Sequence, residues 1–291
     1  MLFEKQIEEI YRSNLFVRND NAGSIFYFTP EDFPGLLVFD HGLGNGHRAY
    51  MREIELLAKS GYLVFAYDHT GCMESGGEST NGFAQSLCDL DACITALKQV
   101  PELEGRAISV MGHSWGGFST MNIAALHPDI THVISMSGFV SVELIMEQTI
   151  SGILAPYRKA LLALERRSNP DYVDFDARES LKDTQAKVLL IYSSNDRTVS
   201  KNVHYDALQK ALSGKPNIRF LLVHGKDHSP NYTTDAVAYK NKFFEELTKA
   251  QKKKQLQTPA QQKRFMAGYD WHRMTAQDSR VWTIILDYLK A

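Results

Sequence analysis

Short apolar runs recur along most of the chain and alternate with longer amphipathic segments. Most of these runs are continuous rather than alternating, which is typical of strands buried on both faces of a parallel sheet. Six runs are predicted to be strands: 36–39, 62–67, 107–111, 132–136, 187–192 and 218–223. The amphipathic segments between them predict helices, so the pattern indicates a doubly wound α/β architecture with right-handed crossovers.

Two shorter apolar runs, 15–18 and 24–28, precede this pattern. Turn-forming residues occupy 19–23 between them, which predicts an antiparallel hairpin. The helices predicted along the rest of the chain are 47–60, 82–99, 115–126, 233–256 and 278–289.

One connection is longer than a crossover helix needs. Almost 50 residues separate the strand that ends near 138 from the one that begins at 187, and residues 141–167 carry apolar positions at helical spacing. Ligands of open α/β sheets bind at the carboxyl ends of the strands. We therefore expect a helical cap insertion at 139–180 over a discontinuous core formed by 1–138 and 181–291. A structural insertion at the sheet edge is the alternative.

Composition restricts the function classes. The 291 residues are 44% hydrophobic and 23% charged, as in ordinary globular proteins. Lys+Arg 32 against Asp+Glu 34 gives a net charge of −2, so no overall basic field favours nucleic-acid binding. The three cysteines form no C-x-x-C pair, and no run of 18 apolar residues or signal-like N-terminus is seen. We expect a cytoplasmic protein with no metal, no nucleic-acid partner and no stable membrane insertion, and its oligomeric state stays open.

The strongest chemical motif is the sequence Gly112-His113-Ser114-Trp115-Gly116. It matches G-x-S-x-G, a sharp strand-to-helix turn that exposes a nucleophilic serine, and glycines on both sides prevent clashes there. A predicted strand precedes the motif and a predicted helix follows it, as this turn requires. The motif therefore predicts Ser114 as a nucleophile.

A nucleophilic serine needs a base, and the base needs an acid that orients it. Asp196 and His228 each follow a later strand, in the order serine, acid, histidine. Asp196 would accept Nδ1–H of His228, which leaves Nε2 to take the proton of Ser114. Two rivals are less suitable, because His224 is expected to be a packed residue at the strand end and Asp227 is adjacent to the base.

The reaction also needs two donors for the developing oxyanion. The backbone N–H of Trp115 lies at a predicted helix N-terminus, and the N–H of Leu43 lies in the glycine-rich loop after the strand at 36–39. His113 flanks the nucleophile, and we expect its side chain to point into the surroundings of the sheet.

Together these residues resemble the α/β-hydrolase superfamily, specifically the cap-bearing serine hydrolases that include monoglyceride lipase/lysophospholipase-like esterases and serine aminopeptidases. The resemblance covers roughly residues 15–250 and rests on His41-Gly42-Leu43-Gly44, 68–75, 112–117, Asn195-Asp196 and His228. It implies a mostly parallel eight-stranded sheet with helices on both faces, a Ser-His-Asp triad and no cofactor. Three features depart from the family pattern: 70–75 replaces an Arg-Gly-x-Gly-x-Ser stretch, Asp227 replaces a glycine, and 250–277 is additional.

The resemblance favours hydrolysis of a small-molecule ester with a short or medium acyl chain, through an acyl-enzyme intermediate. An amidase, an aminopeptidase or an acyl-thioesterase would use the same triad. Glu143 and Glu147 in the predicted cap are candidates for binding a free amino terminus. A catalytically inactive binding module of the same fold also stays open.

Overall fold

One sheet of eight strands organises the chain. The computed structural model describes residues 16–19, 25–28 and 35–290. The strands are β1 (Phe16–Asn19), β2 (Ile25–Phe28), β3 (Leu36–Asp40), β4 (Leu63–Ala66), β5 (Ile108–His113), β6 (His132–Met136), β7 (Lys187–Ser193) and β8 (Ile218–Val223). Their order is β1-β2-β4-β3-β5-β6-β7-β8, and β3 to β8 pair in parallel. All six predicted parallel strands are confirmed.

The predicted hairpin is also present. β1 pairs with β2, and β2 pairs with β4, in both cases antiparallel. Residues 20–23 of the turn predicted between β1 and β2 lie outside the described residues.

Helices cover both faces of the sheet, as the continuous apolar strands require. They are α1 (Met51–Lys59), α2 (Gln85–Leu97), α3 (Trp115–Leu126), α4 (Val142–Thr149), α5 (Arg158–Ser168), α6 (Ala177–Ser180), α7 (Tyr205–Leu212), α8 (Thr234–Lys252), α9 (Pro259–Met266), α10 (Trp271–Met274) and α11 (Ser279–Lys290). Along β7, Val188 and Leu190 face the cluster that contains α2, α3 and α7, whereas Leu189 and Ile191 face α1 and α8 to α11. The side chains of one strand thus enter two cores.

The long connection between β6 and β7 is helical, as its spacing predicts. It contains α4, a 3₁₀ segment (Gly152–Tyr157), α5 and α6. A buried carboxylate attaches α5 to the sheet domain: Glu165 accepts hydrogen bonds from the backbone N–H groups of Phe83 (2.7 Å) and Ala84 (3.3 Å). The rest of α5 is largely exposed.

The C-terminal segment is tied to the loop that follows β8. The buried ammonium of Lys226 donates hydrogen bonds to the carboxylate of Asp278 (2.5 Å) and to the carbonyl of Tyr232. Trp282 and Ile285 of α11 are buried against the sheet. Within the additional segment 250–277, Met266, Trp271 and Met274 are buried in the same cluster, so this segment also forms part of the core. Within the residues described here, no helix has the length and apolar character needed to cross a membrane.

Candidate active site

Ser114 lies in a strained turn between β5 and α3. Its backbone has φ 58° and ψ −112°, a region that residues other than glycine rarely adopt, and its N–H donates to the carbonyl of Met136 (2.9 Å). A Cβ atom on Gly112 would overlap the carbonyl of Gly116, and one on Gly116 would overlap the carbonyl of Asp40. The two glycines therefore allow β5, α3 and the end of β3 to approach closely around the serine.

Asp196 and His228 meet beyond the ends of β7 and β8. One carboxylate oxygen of Asp196 accepts the N–H groups of Thr198 (2.8 Å) and Val199 (3.0 Å). The other lies 2.7 Å from Nδ1 of His228. Because a carboxylate only accepts, Nδ1 carries the proton and Nε2 is left as the basic atom. His228 and Ser114 line the same cavity.

The two rival residues lie elsewhere. His224 is exposed and hydrogen-bonded to the hydroxyl of Ser194 (2.9 Å), so its prediction as a packed residue is wrong. The reason is that β8 is the edge strand of the sheet: β7 lies on one side of it, and the described residues place no strand on the other. The carboxylate of Asp227 accepts hydrogen bonds from the side-chain amides of Asn195 and Asn241.

Asp227 also explains one departure from the family pattern. Its φ is 45°, in the left-handed region where glycine is favoured and aspartate is among the better tolerated substitutes. The hydrogen bonds from two asparagine amides hold this residue where the family usually has a glycine.

The two proposed oxyanion donors belong to residues that line the cavity. Leu43 lies in the loop after β3, and Trp115 is the first residue of α3, where N–H groups lack helical partners. Neither N–H donates to a protein group in the part of the chain that the structure describes. Both amides thus remain free to bind an oxygen atom in the cavity.

Paired charges are buried beneath the Leu43 loop. The imidazole of His69 lies against the carboxylates of Asp40 and Asp89. Burial opposes protonation of His69, but the two carboxylates outweigh it and raise its pKa to about 9. His41, which accepts the N–H of His69 (2.9 Å), has its pKa lowered by burial to about 3. The sequence signal for this cluster is an Asp-His pair at the end of β3 and another just after β4.

His113 lies on a face of the sheet, as expected, and its ring also lines the cavity, which the sequence does not predict. Its Nδ1 lies 2.8 Å from the hydroxyl of Tyr50, and its Nε2 lies 2.6 Å from the carbonyl oxygen of His228. The alternation of side chains along β5 gives His113 the same direction as Met111, toward the face covered by α1. Because β5 ends at His113, the ring extends past the sheet edge and reaches the loop after β8.

The cavity at Ser114 has a volume of about 320 Å³. It is lined by Gly42, Leu43, Asn45, Tyr50, Phe83, His113, Ser114, Trp115, Phe139, Ile145, Thr149, Thr198, Val199 and His228. Helix α4 contributes Ile145 and Thr149 to this wall. Glu143 and Glu147 instead line a separate cavity with Arg158 and Lys159.

The chain is similar to hydrolases of known family. The sequence profile of the serine aminopeptidase (S33) family matches residues 32–226. The monoglyceride lipase of Rattus norvegicus is 33% identical over 114 residues, which are 38% of this chain and 36% of that lipase. The match therefore spans about a third of the length of that relative.

Solved structures share the fold. An esterase of Pyrococcus furiosus is 18% identical with a TM-score of 0.54, and the match covers 82% of this chain and 88% of that one. A monoacylglycerol lipase of Paleococcus ferrophilus is 20% identical with a TM-score of 0.54, covering 74% of this chain and 90% of that one. The predicted α/β-hydrolase fold is confirmed.

The charge on His69 predicts how the free energy of unfolding depends on pH. Its folded pKa of about 9 lies above the ordinary value of 6.5, so protonation stabilises the fold fully below pH 6.5 and this contribution is lost as the pH rises through 9. We expect the difference in unfolding free energy between the parent and His69→Gln to shrink from pH 7 to pH 9.5. Urea unfolding at several pH values measures this difference. A difference that stays constant or grows would contradict a protonated His69 in the folded protein.

Proposed function

Because the chain belongs to the serine aminopeptidase (S33) family, we propose that it is a serine hydrolase that cleaves a carboxylic ester of short or medium acyl chain. The observation that carries the proposal is that Ser114 and the Asp196-oriented His228 line one cavity. Sequence relatives named for monoglyceride hydrolysis support an ester as the substrate.

The proposed reaction begins at the hydroxyl of Ser114. His228 Nε2 removes the hydroxyl proton while Ser114 Oγ attacks the ester carbonyl carbon. The carbonyl oxygen becomes an oxyanion, which the N–H groups of Leu43 and Trp115 stabilise. Asp196 keeps the proton of His228 on Nδ1 and stabilises the imidazolium that forms.

Collapse of the tetrahedral intermediate breaks the ester C–O bond. His228 Nε2 gives its proton to the departing alcohol oxygen and leaves the acyl group on Ser114. A water molecule then repeats the sequence: His228 takes one of its protons, the hydroxide oxygen attacks the acyl carbon, and the serine departs with that proton. The products are an alcohol and a carboxylic acid, and the protein returns to its starting state.

The composition of the cavity favours an ester over a peptide with a free amino terminus. A carboxylate stabilises a buried ammonium group, and the cavity wall within the described residues contains none. Glu143 and Glu147, the candidates for that role, line the separate cavity on the other side of α4. Phe83, Phe139 and Ile145 instead present apolar surface suited to an acyl chain.

The nucleophile is tested by covalent labelling. We expect a fluorophosphonate to add one label to the parent protein and none to Ser114→Ala, as measured by intact mass. We expect Ser114→Ala to lower kcat for an ester at least about 10⁴-fold, because the triad acts as a unit. Ser194→Ala is the matched control, since this exposed serine lies outside the cavity. Labelling of folded Ser114→Ala, or no labelling of the parent, would reject the proposal.

The base is tested by a pair of histidine variants. His228→Gln removes the basic nitrogen and should lower kcat about 10⁴-fold. His224→Gln changes an exposed histidine four residues away and should leave kcat within about twofold of the parent. Steady-state kinetics on one ester compares them, and equal losses in both variants would count against His228.

The wall formed by α4 is tested by acyl-chain preference. Ile145→Ala enlarges the apolar end of the cavity, whereas Met146→Ala changes the neighbouring residue that lines the separate cavity. A methylene in an apolar pocket is worth about 1–3 kcal/mol, so the kcat/KM ratio of an eight-carbon to a four-carbon ester should rise about tenfold in Ile145→Ala alone. An unchanged ratio would remove α4 from acyl selection.

A further inference from the structure

A chain of three hydrogen bonds connects the parts of the site that come from distant segments. The N–H of Gly42, in the loop that carries Leu43, donates to the hydroxyl of Tyr50 (3.1 Å). This hydroxyl lies 2.8 Å from Nδ1 of His113, and Nε2 of His113 lies 2.6 Å from the carbonyl oxygen of His228. The chain thus runs from the oxyanion loop, past the residue that precedes Ser114, to the loop of the base.

Chemistry fixes the direction of every bond in this chain. The carbonyl oxygen of His228 can only accept, so Nε2 of His113 carries a proton. In a neutral imidazole the other nitrogen is then an acceptor, and the hydroxyl of Tyr50 must donate to it. The oxygen of Tyr50 in turn accepts the N–H of Gly42. No donor faces a donor: within this chain of hydrogen bonds, the hydroxyl of Tyr50 and the imidazole of His113 each accept one bond and donate one.

The surroundings keep both side chains in these neutral forms. Burial, together with the nearby His228, holds the pKa of His113 well below its ordinary range. Burial also raises the pKa of the Tyr50 hydroxyl, so that it keeps its proton. A protonated His113 would present two donors and force Tyr50 to find another acceptor.

The chain of hydrogen bonds constrains the loop that carries Leu43 at the amide of Gly42, and the loop of the base at the carbonyl of His228. A Cβ atom on Gly42 would lie 2.7 Å from the hydroxyl of Tyr50, so the loop backbone is close against this group. The amide of Gly42 is occupied, whereas the amide of the next residue, Leu43, donates to no protein group among the described residues. His228 is held at its Nδ1 by Asp196 and at its carbonyl by His113.

We propose that Tyr50 and His113 are positioning residues, which hold the oxyanion loop and the loop of the base in register with Ser114. This role rests on the proposed function, because positioning matters only if Leu43 and His228 act in catalysis. It requires no contact between Tyr50 or His113 and the reacting atoms.

The kinetic test compares two buried tyrosines. Tyr50→Phe removes the central hydroxyl, and we expect kcat to fall about 30-fold with KM within about twofold, because misplacement by about 1 Å can cost about 100-fold. Tyr62→Phe is the matched control: Tyr62 is equally buried, at 7% exposure, and its hydroxyl donates to the carbonyl of Leu289 (2.9 Å), away from the cavity. Equal kcat in the two variants would overturn the positioning role.

A rescue series at His113 separates positioning from packing. Gln at this site keeps an N–H that can reach the carbonyl of His228, whereas Ala keeps none. We expect His113→Gln to retain kcat within about tenfold of the parent and His113→Ala to lose about 100-fold. If the two variants are equally active while both are folded, the hydrogen bond to His228 does not position the base.

The third measurement does not depend on hydrolysis. In protein labelled with ¹⁵N-histidine at pH 7.5, the His113 ring should give the chemical shifts of a neutral imidazole with its proton on Nε2, and Tyr50→Phe should shift Nδ1. A charged ring or a proton on Nδ1 would overturn the hydrogen-bond chain even in a protein without activity.

A parent that resists the fluorophosphonate but gives the expected spectrum would instead reject the proposed function, and with it the positioning role. A parent that reacts while Tyr50→Phe matches Tyr62→Phe would reject the positioning role alone.

Discussion

The close approach of β5 and α3 at Ser114 is the constraint on which the rest of the site depends. The serine holds a backbone conformation that costs about 1–3 kcal/mol, and the fold sustains it because α3 is buried along almost its whole length. Only glycine at 112 and 116 leaves room for the carbonyls of Gly116 and Asp40. The turn between β5 and α3 places Ser114 at the carboxyl edge of the sheet, where the loops after β3, β7 and β8 converge on it.

The loop after β3 is supported by a cluster of paired charged residues, in which His69 lies against the carboxylates of Asp40 and Asp89. A buried carboxylate is costly unless it is paired, and Asp40 is paired with His69 and hydrogen-bonded by Ser119 and Tyr67. Asp40 itself ends β3, and its partners come from α3 and from the segment after β4, so displacing one of them would leave a charge without its partner. The loop that carries Leu43 begins at Asp40, and this pairing limits how far Leu43 can move relative to α3.

The parts of this arrangement that follow local patterns could be predicted from sequence. Continuous apolar runs located all six parallel strands, and the glycine spacing located the turn at Ser114. The contacts that the sequence does not predict join distant residues: His113 is 63 residues from Tyr50 and 115 from His228, and no periodicity encodes such pairs. The position of His224 at a strand end predicts a packed residue, but β8 is an edge strand, and strand order is a property of the whole sheet.

Two segments of different character contribute to the lining of the cavity, and this difference bears on how an ester would bind. Phe139 and Ile145 approach from the long connection between β6 and β7, whereas Asn45 and Tyr50 approach from the segment after β3. An ester has an apolar acyl chain and a more polar alcohol, and burial favours placing the chain against the apolar wall. The alcohol oxygen must also receive the proton of His228. An acyl chain directed toward Ile145, with the alcohol on the side of His228, satisfies both conditions, and under the proposed function it assigns acyl selection to α4 and leaves the alcohol to the polar side of the cavity.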